Sequence, residues 1–160
     1  MRVNVPATLA REGVPFALVG AVAMAAHGHA RSTEDVDFLV ADRRVLDPRA
    51  WPGGEVRVGD AADPLSGLVR YPGVDVVVIA GAWAAGIVAR AGALAVTLDG
   101  VRVPVAEAAD LVMLKLYAGG PLDLRDAELL LLDPGVAEAA EGRLVGSPEV
   151  CARNWGRLRL

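Results

Sequence analysis

The sequence predicts an α/β (α+β) domain, and three observations carry that expectation. Short apolar runs such as PFALVG (from Pro15), VDFLV (from Val36) and VDVVVIA (from Val74) alternate with segments of helical pattern. Asp99-Gly100 stands between two such runs, a two-residue hairpin signal. After Pro104 the chain turns helical, with AEAADLVMLKLYA and LDLRDAELLLL separated by Gly119-Gly120-Pro121.

With 160 residues the chain makes one domain, or one with a small appendage, and buries a core without staples. Apolar residues are 54% and aromatic ones 4%, so that core is aliphatic. Asp75, Arg90 and Asp99 interrupt the most hydrophobic region before it reaches the roughly 18 apolar residues of a membrane span. MRVNVPATLAREG lacks a secretion signal's apolar stretch, and the expectation is a cytoplasmic protein with no membrane partner. A net charge of −4 argues against a broad nucleic-acid-binding face. The single cysteine, Cys151, excludes an internal disulfide, and two histidines are too few for a Cys/His zinc site.

In chain order, Pro6 to Glu12 reads as a short amphipathic helix and Pro15 opens the first strand. Gly20 then begins a small-residue helical segment, Ala21 to Ala26. The glycine there is a simple strand-to-helix turn or a place where backbone N–H groups approach an anion. His27 closes the segment as a hydrogen-bonded side chain, and His29 is exposed. Arg31 either neutralises the following acids or holds a phosphate. Asp35 to Ala41 is the second strand, with Asp35 and Asp37 on one face and Val36, Phe38 and Val40 on the other. The α-carbons of the two acids are roughly 6.6 Å apart, close enough for their carboxylates to converge on a hard cation.

Residues from Asp42 to Gly54 form a mixed-charge connection containing Trp51; Glu55 to Val58 reads as a strand, and Asp60 to Pro64 as a turn. Asp75 sits at the start of an otherwise apolar strand, where a charge is costly unless exposed, paired or metal-bound. Gly81 to Ala91 is a helix with Trp83, Ile87 and Val88 inward. The next helix turns Leu111, Leu114, Tyr117 and Ala118 inward. Leu129 to Leu132 anchors the following one, which Asp133-Pro134-Gly135 closes, and one or two short helices end the chain. Lys115 is the only lysine among 16 basic residues. An ammonium differs from a guanidinium as a phosphate ligand, so Lys115 is either a solvated helix residue or a phosphate contact. Arg153, Trp155, Arg157 and Arg159 make a basic, aromatic tail: a solvated face, or an RNA contact by stacking and phosphate pairing.

Gly20, the His27-Gly28 turn, Arg31, Thr33, Asp35-Val36-Asp37, the later Asp75, LVMLKLYA and Arg125-Asp126 together resemble the AbiEii/AbiGii-type toxin nucleotidyltransferases of the DNA polymerase beta superfamily. The resemblance runs from Phe16 to Leu132. It implies a small mixed β-sheet flanked by helices, with residues 1–105 as the sheet core and 106–160 as a short C-terminal helical portion, packed as one compact domain. It further implies transfer of a nucleoside monophosphate from a nucleoside triphosphate to a hydroxyl of RNA or protein, in a toxin with an antitoxin partner; a small-molecule nucleotidyltransferase of the antibiotic-modifying type, within the same superfamily, is the alternative. Asp35, Asp37 and Asp75 would be the catalytic residues and would hold Mg2+, as two ions, or Mn2+. Gly20, Ala21, Arg31 and Lys115 would bind the phosphates, with Thr33 and Asp126 in support. Ala21 departs from the family, which usually has Gly or Ser there. A catalytically degenerate nucleotide-binding module is the alternative from a different class.

Overall fold

The computed structural model describes residues 3–33, 35–60 and 65–160. It divides into two compact units, Met1–Ala106 and Glu107–Leu160. The fold class is α/β (α+β), with a mixed sheet and helices.

The first unit is built on seven strands: β1 (Phe16–Val19), β2 (Val36–Val40), β3 (Glu55–Val58), β4 (Leu65–Tyr71), β5 (Val74–Ile79), β6 (Leu94–Leu98) and β7 (Val101–Val105). Their order across the sheet is β3-β4-β5-β2-β1-β7-β6. Parallel pairing joins β2 to β5 and β1 to β7, and the remaining neighbours are antiparallel. Helices α1 (Val5–Arg11), α2 (Gly20–Ala26) and α3 (Ala82–Arg90) pack on this sheet, α2 and α3 against β1 and β2, α1 against β7.

Local chemistry accounts for the element boundaries. The Asn4 side chain accepts from the Ala7 N–H and caps α1. Asp99 and Gly100 both have positive φ, 48° and 79°, as a hairpin whose turn twist matches its strands requires. Alternation along β2 and β5 buries Phe38, Val40, Val76 and Val78 on one sheet face. Phe16 meets Phe38 edge-to-face at 5.8 Å on that face. The connection from Asp42 to Gly54 is pinned by Trp51, which is buried and donates its indole N–H to the Val45 carbonyl at 2.6 Å.

The second unit holds α4 (Ala108–Ala118), α5 (Pro121–Leu130), α6 (Pro134–Arg143) and α7 (Glu149–Trp155), with α4 contacting the other three. No described helix is long and apolar enough to cross a membrane.

The structure departs from several sequence expectations. The second strand begins at Val36, so Asp35 lies just outside it. Trp83 is half-buried, and Ala84 takes the inward place beside Ile87 and Val88. On α4 the buried residues include Leu111, Val112, Met113 and Leu116, whereas Leu114 and Tyr117 are half-buried and Ala118 is exposed, because neighbours on several sides cover the helix. Leu130 and Leu131 are buried, but Leu129 and Leu132 face solvent. Asp133-Pro134-Gly135 begins α6 instead of merely closing α5: the Asp133 carboxylate accepts from the Gly135 and Val136 N–H groups, and Pro134 occupies the first turn, where its missing N–H costs nothing. His29 is half-buried. Most of the expected turn at Asp60 to Pro64 lies outside the described residues.

Candidate active site

Strand register places a row of residues across one face of the sheet. Val19 on β1 pairs with Asp37 on β2, Asp37 with Asp75 on β5, Asp75 with Arg70 on β4, and Arg70 with Glu55 on β3. Directly paired residues share a face, so two carboxylates stand side by side and a guanidinium follows them. Like charges directly opposite each other are unfavourable and call for a counter-charge.

Arg70 supplies one. Its Nε donates to Asp75 Oδ1 at 3.0 Å and its Nη2 to Asp75 Oδ2 at 3.3 Å, a two-point fork on the carboxylate. The hydrogen bond to Asp75, and then that residue's charge, push the guanidinium above its ordinary pKa, with smaller contributions from Glu55 and Asp35. Glu55 is itself paired with Arg57 at 2.7 Å. Asp75 is thus paired through a partner that sequence reasoning did not single out. The available signal was Arg70 and Asp75 flanking the Tyr71-Pro72-Gly73-Val74 turn, at antiparallel hairpin spacing.

Gly20 forms the floor beside Asp37. With φ +70° it starts α2 in a conformation that other L-residues rarely adopt, and a Cβ there would overlap the Asp37 carboxylate. The glycine at the strand-to-helix turn therefore makes room for an acid. Ala21 turns into the core, with its side chain buried. Thr33 accepts from the Asp35 N–H and donates to the Asp35 carbonyl, fixing the backbone just before β2; Arg31, Thr33 and Asp35 are exposed. His27 caps α2, and its Nε2 lies 2.8 Å from the Ala106 carbonyl.

The structure brings Gly20, Asp37 and Asp75 together and leaves Asp35 two residues before Asp37, at the mouth of the strand. Among the described residues no three His, Cys, Asp or Glu side chains stand ready as a metal cluster. Arg70 engages Asp75, and Asp35 is exposed. The donor set nonetheless suits a hard divalent cation: carboxylate oxygens, two of them from acids paired across neighbouring strands.

Lys115 belongs to the helical unit. Its Nζ lies 2.9 Å from Asp126 Oδ2 and 3.4 Å from Asp123 Oδ1, with the lysine side chain 12% and the Asp126 side chain 3% exposed. Asp123 also accepts from the Gly120 N–H at the start of α5. The ammonium is thus held between two acids of α5, which excludes the solvated-lysine alternative. A second ion cluster joins Arg143 of α6 to Glu107 and to the fully buried Asp110 at the start of α4.

The first unit is a mixed sheet with a glycine at its first strand-to-helix turn and two acids paired on neighbouring strands. Among solved structures the chain is similar to ANT(2'')-Ia, described as an antibiotic-resistance factor. Its solution structure aligns over 89% of this chain and 86% of that one, with 16% identity and a TM-score of 0.55. Its crystal structure in complex with adenylyl-2''-tobramycin aligns over 96% and 94%, with 16% identity and a TM-score of 0.56. No family model matches the sequence, and neither does any curated protein.

Proposed function

We propose that the protein is a metal-dependent nucleotidyltransferase that moves a nucleoside monophosphate from a nucleoside triphosphate to a hydroxyl of a small molecule. The observation that carries this reading is the Asp37–Asp75 register pair, with Gly20 cleared beside it for the Asp37 carboxylate. The likeness of fold to ANT(2'')-Ia along nearly its whole length supports a small hydroxylated acceptor of the antibiotic type.

Asp37 and Asp75, with Asp35 at the strand mouth, would hold Mg2+ or Mn2+, which neutralises phosphate charge and orients the reacting oxygens when bound. Asp75 would also orient the acceptor. The acceptor oxygen attacks the α-phosphorus, the bond from that phosphorus to the bridging oxygen breaks, and pyrophosphate leaves. The hydroxyl proton passes to the Asp75 carboxylate. Positioning and charge neutralisation supply most of the acceleration in such phosphoryl chemistry. Arg31, exposed two residues before Thr33, would meet the triphosphate. Lys115 would offer a phosphate the one ammonium N–H that Asp123 and Asp126 leave over.

RNA as the acceptor, in an AbiEii-type toxin with an antitoxin partner, is a second reading. It rests on the tail, where Arg153, Arg157 and Arg159 are exposed beside a half-buried Trp155. Each α-labelled nucleoside triphosphate, with magnesium, is offered an aminoglycoside panel, total RNA and a protein extract in parallel. Label on the small molecules supports the first reading, and label on RNA the second. Nucleotide binding without label on any acceptor turns the assignment to a binding module.

A further inference from the structure

We propose that Arg70 is an exchangeable counter-ion: it holds Asp75 while no divalent cation is bound, and passes to the nucleotide's phosphates when a cation takes that carboxylate. The inference rests on the transferase reading above and adds a residue that neither the sequence motif nor the fold likeness assigns.

Three observations support it. The carboxylates of Asp37 and Asp75 belong to directly paired residues, so the cation-free site needs positive charge. Arg70 meets that need through both Nε and Nη2, and occupies the oxygens of Asp75 that a cation would use. The guanidinium also keeps its freedom to leave: the Arg70 side chain is 49% exposed, whereas that of Asp75 is 16%. Its neighbour on the far side of the row, Glu55, is already paired with Arg57. A planar fork beside a triphosphate is well suited to bidentate phosphate contact, which an ammonium cannot reproduce.

The test uses Arg70→Gln and Arg70→Lys in the full chain, with near-ultraviolet circular dichroism to establish native folding. Mn2+ binding is measured alone by paramagnetic resonance, and binding of a non-hydrolysable nucleoside triphosphate is measured at saturating Mn2+ by calorimetry. The expected result is opposite signs. Arg70→Gln binds Mn2+ alone roughly two- to fivefold more tightly, in keeping with the modest worth of a half-exposed pair. The same variant binds the triphosphate several-fold more weakly, and Arg70→Lys recovers only part of that loss. Unchanged or weaker Mn2+ binding by folded Arg70→Gln overturns the competition, and unchanged triphosphate affinity overturns the hand-over. Absence of Mn2+ binding by wild type and variant alike brings down the transferase reading itself, and this inference with it.

Discussion

Asp37 on β2 stands directly opposite Asp75 on β5, two acids of one sheet face separated by the spacing of adjacent strands, about 4.8 Å. The arrangement makes sense as a site whose repulsion is offset by a positive group, Arg70 in the structure and a bound cation in the proposed reaction.

Asp37→Asn separates these roles. Removal of one like charge leaves the melting temperature unchanged or raises it by up to about 2–4 °C, the shift that about 1 kcal/mol brings in a chain of this size. Nucleotide transfer should fall by at least about a hundredfold, as expected when a group that organises transition-state charge is lost. A marked drop in melting temperature would show Asp37 to be structural instead.

Gly20→Ala should damage stability and site together. The new methyl group overlaps the Asp37 carboxylate, and the left-handed backbone costs roughly 1–2 kcal/mol for a residue with a Cβ. Urea unfolding should report a loss of at least that size, and Mn2+ affinity should fall because Asp37 is displaced. Gly13→Ala is the control: that residue has φ +67° but nothing within 4 Å of an added Cβ, so it bears the backbone cost without the collision.

Lys115→Met tests whether the only lysine holds the helical unit. Its removal leaves Asp126 buried without its ammonium, and breaking a buried pair costs about 3–5 kcal/mol. Lys115→Met combined with Asp126→Asn should regain much of that stability in chemical denaturation. If the single variant is as stable as wild type while triphosphate affinity drops, Lys115 is a phosphate ligand and little else.

Cys151 gives a pH prediction. Burial pushes its thiol up to about 11 from an ordinary value near 9.0, with a hydrogen bond from Ser147 opposing in part. The folded protein holds the proton more tightly than the unfolded chain does. Its contribution to stability is therefore complete below about pH 9 and is lost progressively as pH rises toward 11. Cys151→Ala should flatten that part of the stability–pH curve. A thiol reagent at pH 8 should modify Cys151 only at the rate of opening or unfolding.

The sequence by itself determined the order of strands and helices, the Asp99-Gly100 hairpin, the glycine at the first strand-to-helix turn and the acids at Asp35, Asp37 and Asp75. Each of these is written in local periodicity or turn chemistry, which a few neighbouring residues settle among themselves. Tertiary structure alone decided that Asp75 aligns with Asp37 and pairs with Arg70, that Gly20 clears space for a carboxylate, and that Lys115 lies between Asp123 and Asp126. Those relationships depend on strand register and helix packing. Both are fixed by the fit of apolar side chains brought together from distant parts of the chain, so spacing along the sequence does not encode them.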